Sequence, residues 1–106
     1  MQIYTSYSDG RLTLYVQGEL DHHEAKNAMD TIEKLLIEYM PRECVLELSK
    51  LNFMDSSGIA LIVKVFRRLR EMRGQAWIEN ASGQPLKVID AASIERIMKM
   101  SVTKES

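Results

Sequence analysis

Apolar and polar side chains alternate at the start of the chain. Residues 2–7 alternate roughly, and Leu12, Leu14 and Val16 then recur at a spacing of two. A period of two is typical of a strand with one buried face. Asp9-Gly10 separates the two runs and favours a tight turn, because glycine adopts positive φ without a steric cost. The pattern therefore predicts a β-hairpin.

From residue 21 to residue 39 the apolar positions follow the helical spacing of three and four instead. Asp21, with Glu24 three residues later, resembles a capping box in which Asp replaces the usual Ser or Thr. Pro41 lacks an amide donor and cannot continue a helix. We expect a long first helix whose core-facing stripe consists of Ala25, Ala28, Met29, Ile32, Leu35, Leu36 and Tyr39.

The second half of the chain alternates short apolar runs with helical patterns. Cys44–Leu48 indicates an interior strand, and residues 75–79 indicate another. Between them, a helical stripe covers Ile59–Met72, and Gly74 is suited to end that helix. A short helix is expected over Pro85–Ala92, because proline fits the first helical turn.

The order of these elements is strand, strand, helix, strand, helix, strand, helix. It predicts an α/β domain with a mixed sheet of four to five strands and packed helices. Ile94, Ile97 and Met98 are apolar, and their pattern fits a last strand, another helical turn or both. No repeat or linker divides the chain, so residues 1–106 are expected to form one domain.

Composition narrows the functional classes. The chain has 106 residues, 45% hydrophobic and 27% charged, with a formal net charge of −1 and a single cysteine. This charge gives no reason to expect nucleic acid as a partner. No leader opens the chain, and no apolar run approaches the roughly 20 residues of a membrane helix. Cys44 alone cannot form an internal disulfide, so we expect a soluble protein of the reducing cytoplasm.

The candidate chemistry lies in Asp55-Ser56-Ser57-Gly58, just before the second helix. Hydroxyls and an acid at a helix start have an ordinary interpretation, because they cap exposed backbone amides. A functional interpretation is also open, since the helix dipole favours added negative charge. A phosphate on either serine would carry roughly −1.5 to −2 charges and, beside Asp55, could repel an acidic partner without refolding the chain. The pattern alone does not decide between the two.

Two segments together resemble the sporulation-type anti-sigma factor antagonists, which are STAS-domain proteins: Gly18-Glu19-Leu20-Asp21-His22-His23 and Phe53-Met54-Asp55-Ser56-Ser57-Gly58. The resemblance implies a STAS fold and an anti-anti-sigma function. In that family the unphosphorylated antagonist binds an anti-sigma factor that is also a serine kinase, and so frees the sigma factor. Phosphorylation by this kinase weakens the complex, and a PP2C-type phosphatase restores it.

The resemblance also implies roles for individual residues. Ser56 matches the phosphoacceptor, and Ser57 matches its neighbour, which would cap the helix or shape the loop. Phe53 and Met54 would be apolar anchors if exposed and would fix the loop if buried. A departure from the family pattern is Ala60, where a second glycine is common. The expected partner contacts are Asp21, His22, His23, Met54, Asp55, Ser57 and Gly58.

Several alternatives follow from the same residues. His22 and His23 lack the i, i+4 spacing useful for zinc, so neither a metal nor another cofactor is expected. A hydrolase or small phosphate-handling enzyme built on Ser56 and a histidine is disfavoured, because no nucleophile-elbow signature is present and little room exists for a pocket. We therefore expect no catalysis.

The cationic second helix, which includes Lys64 and Arg67, would suit an acidic protein partner or simply a solvated surface. The main alternative function is a STAS antagonist that acts in another stress-response or partner-switching pathway.

Overall fold

The computed structural model describes residues 1–94 and the backbone of residues 102–104. The strands are β1 (Gln2–Ser8), β2 (Arg11–Leu20), β3 (Glu43–Glu47), β4 (Leu51–Met54), β5 (Gln75–Ala81) and β6 (Val102–Lys104). The helices are α1 (His22–Tyr39), α2 (Ser56–Glu71) and α3 (Gly83–Ala92). Within this described part, no helix has the length and apolar character needed to cross a membrane. Ile94 is buried, and the predictions for Ile97 and Met98 fall outside the described residues.

The strands form a mixed sheet, as predicted. β1 pairs antiparallel with β2, and β2, β3, β5 and β6 then follow in this order with parallel pairing. The α/β class is therefore confirmed. β4 lies off this path and pairs parallel with β2. It is an addition to the predicted elements, because the sequence pattern indicates only a connection over residues 50–58.

The first two strands form the predicted hairpin. Ser8 pairs with Arg11, so the loop between them consists of Asp9 and Gly10. Both loop residues have positive φ, 51° for Asp9 and 83° for Gly10. Positive φ at both central positions is typical of a type I′ turn, whose twist matches that of paired strands. The Asp-Gly sequence therefore decides the register of this hairpin.

β2 pairs with two different strands along its length, and the pairing with β4 is irregular beside Gly18. Residues 11–15 pair with β3, and residues 18–20 pair with β4 after a register shift between Gly18 and Glu19. Gly18 has a φ of 97°, which residues with a side chain rarely adopt. Its amide donates to the Lys50 carbonyl at 3.0 Å, which brings the start of β4 beside β2. With only four residues, two buried and two exposed, β4 is too short for its pattern to predict it.

The core lies between the sheet and the helices. α1 buries Ala28, Ile32 and Leu36, all from the predicted stripe. α2 buries its own apolar stripe along Leu61–Leu69. Cys44 on β3 is fully buried, as predicted, and burial raises the pKa of its thiol to about 12. The thiol therefore stays protonated in the folded protein at neutral pH.

The two long helices end near the predicted positions, but α2 does so for a different reason. α1 ends at Met40, which has a left-handed φ of 46° and is followed by Pro41. After α2, the left-handed residue is Arg73, with a φ of 62°, and not Gly74. A Cβ on Gly74 would lie 2.6 Å from the Arg42 carbonyl oxygen. Glycine is needed there because another segment of backbone approaches closely.

Candidate functional site

α1 and α2 begin at the same edge of the sheet. β2 and β4 run parallel, and Leu20 lies opposite Met54 at their carboxyl ends. Asp21 and Asp55 directly follow these ends, and each is the N-cap of the helix that comes next. The two segments that carry the sequence resemblance are therefore neighbours in space.

The Asp55 carboxylate connects the two helix starts. Its Oδ1 accepts a hydrogen bond from the Ser57 amide of α2 at 2.8 Å, and its Oδ2 accepts one from the His22 amide of α1 at 3.1 Å. The Asp55 amide donates to the Leu20 carbonyl at 3.4 Å. The capping interpretation of this acid is therefore correct. Since both carboxylate oxygens accept bonds within the chain, its predicted partner contact stays a prediction.

Asp21 caps α1 alone. Its Oδ1 accepts hydrogen bonds from the amides of His23 and Glu24, at 3.0 and 3.1 Å. This arrangement is the Asp half of the predicted capping box. The other half, in which the Asp21 amide would donate to the Glu24 carboxylate, is not among the hydrogen bonds of the described residues. The Asp21 side chain remains 35% exposed, so it is accessible to a partner.

Ser56 is the first residue of α2 and is exposed, whereas Ser57 is half-buried. The Ser57 amide donates its hydrogen bond to the Asp55 carboxylate, so the residue that caps the helix is Asp55. Of the two roles predicted for Ser57, shaping the loop therefore stays a prediction. The first turn of α2 contains no acidic residue. A negative group on Ser56 would therefore complement the positive end of the helix dipole. Ser56 is thus the more accessible hydroxyl and the one at which added charge suits the helix.

Met54 and Gly58 lie beneath this surface. Met54 has no exposed area, and Gly58 is also buried. Both residues are inaccessible in this structure, so their contact with a partner stays a prediction. A Cβ on Gly58 would overlap the Met54 side chain, whose Sδ would be 2.6 Å away, so glycine lets α2 pack directly on the end of β4. Phe53 is 38% exposed and offers an apolar side chain beside the loop.

His22 and His23 lie on the surface at the start of α1. Both are exposed, and their ring centroids are 4.1 Å apart in a tilted arrangement. The His23 Nδ1 lies 3.9 Å from the Asp21 carboxylate. Among the described residues, no group of three or more His, Cys, Asp and Glu side chains is arranged to hold a metal ion. The geometry leaves both imidazoles free to face a partner.

Gln84 belongs to the site but could not be found from the sequence. Its Oε1 accepts a hydrogen bond from the Met54 amide at 2.9 Å, and its Nε2 donates to the Met54 carbonyl at 2.8 Å. Because the next amide, that of Asp55, points to β2, these Met54 groups point away from β2. The Gln84 side chain therefore pairs with β4 as another strand would. No local sequence signal indicates a contact across 30 residues.

A groove between α1 and α2 starts beside Ser57 and also could not be predicted. Its volume is about 380 Å³. Lys26 and Lys64 stand on its two sides and are exposed. Arg68, farther along α2, instead binds Glu33 of α1 at 3.0 Å. The residues lining the groove are Ala25, Lys26, Met29, Asp30, Ser57, Ala60, Leu61 and Lys64.

The chain is similar in sequence to a known domain family and to a protein of known role. Residues 2–106 match the model of the STAS domain family. The anti-sigma F factor antagonist of Lysinibacillus sphaericus is 31% identical over 88 residues, which cover 83% of this chain and 74% of the relative.

Two solved structures are also similar. The anti-sigma factor antagonist SpoIIAA in its unphosphorylated form has a TM-score of 0.80 at 23% identity, covering 98% of this chain and 90% of that one. The Bacillus cell fate determinant SpoIIAA in its phosphorylated form has a TM-score of 0.72 at 23% identity, covering 98% and 93%. The predicted STAS fold is confirmed.

Proposed function

Because this chain belongs to the STAS domain family, among the anti-sigma factor antagonists, we propose that it is an anti-anti-sigma factor switched by phosphorylation of Ser56. In the unphosphorylated form it binds an anti-sigma factor that is also a serine kinase, and the sigma factor is released. The sigma factor is a sporulation factor in this proposal, because residues 18–23 resemble the sporulation members and the Lysinibacillus relative is an anti-sigma F factor antagonist.

The position of the Ser56 hydroxyl carries the proposal. Ser56 is exposed and is the first residue of α2. It directly follows Asp55, whose carboxylate accepts hydrogen bonds from backbone amides at the start of α1 and of α2. A serine held in this way is presented to a kinase without local unfolding. This observation favours a regulated hydroxyl over a serine that serves only as a cap, since Asp55 already caps the helix.

A phosphate on Ser56 acts on the complex and leaves the fold intact. It adds roughly −1.5 to −2 charges to a chain whose formal net charge is −1. The dipole of α2 offsets part of that charge within the chain. In a protein interface, the same charge repels acidic groups and must lose water to be buried, so association weakens. The neighbour SpoIIAA is known in both phosphorylated and unphosphorylated forms, which supports a fold that tolerates the group.

The surface around Ser56 provides the contacts with the kinase. Asp21, His22 and His23 lie at the adjacent helix start, and the half-buried Ser57 opens onto the groove between α1 and α2. Lys26 and Lys64 on that groove suit carboxylates of the partner. The chain serves as a noncatalytic substrate in the cytoplasm, and a PP2C-type phosphatase returns it to the binding form.

Phosphorylation by the anti-sigma factor kinase of the same organism tests the proposal. The purified chain is incubated with this kinase and ATP, and phosphate is located by mass spectrometry. We expect one phosphate on Ser56, none on Ser56→Ala, and an unchanged result for the matched variant Ser57→Ala. No phosphate, from a kinase active on another antagonist, or phosphate on Ser57 alone, would contradict the proposal.

A further inference from the structure

Gln84 holds the backbone two residues before Ser56. Both polar groups of the Met54 backbone bind its side-chain amide, at 2.9 and 2.8 Å. The Met54 side chain packs directly against Gly58 of α2. The Asp55 amide donates a hydrogen bond to the Leu20 carbonyl at the end of β2. The segment leading to Ser56 is therefore held from β2, α2 and α3 together.

The chemistry of this contact is specific to a primary amide. Its carbonyl oxygen accepts and its NH₂ group donates, so one side chain satisfies both the N–H and the C=O of a single residue. Leucine, which has a similar volume, offers neither group. Asparagine offers both but is one methylene shorter, so it does not span the same distance. The contact also joins two elements, since Gln84 lies in the first turn of α3 whereas Met54 ends β4.

We propose that Gln84 is a positioning residue for phosphorylation of Ser56, an inference that rests on the proposed function. Gln84 itself does not touch the reacting hydroxyl in this scheme. It fixes the end of β4, and thereby the place where Ser56 meets the γ-phosphate of ATP in the kinase complex. A misplacement of about 1 Å in a reacting group is enough to slow a reaction as much as 100-fold.

A positioning role for Gln84 predicts different effects on the kcat and the KM of Ser56 phosphorylation. The surfaces proposed to bind the kinase lie on α1 and α2, and Gln84 contributes to neither helix. Removing its amide should therefore leave binding largely intact while the chemical step slows. An interaction that matters in the transition state more than in the ground state lowers kcat more than it changes KM.

The test uses the full chain as Gln84→Leu and Gln84→Asn, with Gln75→Leu as the matched control. Gln75 is exposed at the start of β5. Steady-state phosphorylation of Ser56 is measured with the anti-sigma factor kinase of the same organism and ATP. We expect kcat to fall roughly tenfold in both Gln84 variants, with KM within about twofold of wild type. Hydrogen exchange of the Met54 amide should accelerate in both variants, and the control should match wild type.

The outcomes separate this inference from the proposed function. If both Gln84 variants keep the wild-type kcat, or if they raise KM at constant kcat, the positioning role is overturned and the Ser56 switch stands. If wild-type Ser56 receives no phosphate from an active kinase, both are overturned. Near-UV circular dichroism establishes that each variant is folded, and Gln84→Asn decides the question if Gln84→Leu does not fold.

Discussion

α1 and α2 begin at the same edge with an aspartate N-cap, but the two caps serve different parts of the fold. Asp21 binds two amides of its own helix. Asp55 binds one amide of its own helix and one of α1. The third residue after each cap also differs. Glu24 is half-buried, whereas Gly58 is buried and packs against the Met54 side chain. The start of α1 is a local structure, whereas the start of α2 is a junction of three elements.

This difference favours α2 over α1 as the place for the proposed phosphoserine. Glu24 places a negative charge in the first turn of α1, and the first turn of α2 has none. The helix dipole at α2 is therefore less compensated, and added phosphate would be more favourable there than at α1. The junction also fixes Ser56 relative to the contact surface proposed on α1, so a phosphate on Ser56 would affect that whole surface.

Loss of the Asp55 carboxylate should have the largest effect on stability. Asp55→Ala removes the cap of α2 and leaves the His22 amide without its acceptor. We expect the free energy of unfolding to fall by about 2–3 kcal/mol, the sum of a cap and a charge-assisted hydrogen bond. Urea denaturation measures this change. A loss below about 0.5 kcal/mol would mean that Asp55 is an ordinary surface acid.

Filling the space at Gly58 should cost slightly less. Gly58→Ala places a Cβ against the Met54 side chain, and overpacking of this kind costs about 1–3 kcal/mol. The matched test is a double-mutant cycle with Met54→Ala, which removes the obstructing atoms. We expect Gly58→Ala to cost at least about 1 kcal/mol less in that background. Equal costs in both backgrounds would show that the two residues are not coupled.

Asp21→Ala should cost less than Asp55→Ala. The substitution removes a cap that serves only α1, which is worth about 1 kcal/mol. The same urea denaturation gives both values under identical conditions. If Asp21→Ala destabilises the protein as much as Asp55→Ala, Asp55 does not have the additional role of joining α1 to α2, and the distinction between the two caps is wrong.

Charge at Ser56 should have the smallest effect on stability and a large effect on binding. Ser56→Asp keeps the free energy of unfolding within about 0.5 kcal/mol of wild type, because the residue is exposed and the dipole favours an acid. Calorimetric titration with the anti-sigma kinase should show at least roughly tenfold weaker binding. Ser56→Ala is the control for loss of the hydroxyl, and it should bind like wild type.

Local chemistry made the hairpin and α1 predictable. Asp9 and Gly10 specify a turn, and Asp21 and Pro41 bracket a helical stripe. Ser56 could be identified as a candidate because a helix start has a recognisable composition. The resemblance supplied its proposed role.

The features that could not be predicted depend on distant contacts. The sequence left open whether Met54 is exposed or buried, because four residues of β4 give no clear period. Its burial is decided by Gly58 and by pairing with β2. The second bond of Asp55 and the contacts of Gln84 join residues 33 and 30 positions apart. No pattern within one element carries that information.

The most direct test of the switch is calorimetric titration of the anti-sigma kinase, without ATP, into the chain and into the same chain phosphorylated on Ser56. We predict that phosphorylation weakens binding at least roughly tenfold, while near-UV circular dichroism and urea denaturation show an unchanged fold. Equal affinity of the two forms would contradict a phosphate switch at Ser56. Weaker binding accompanied by loss of the native spectrum would contradict the claim that the phosphate acts on the interface and not on the fold.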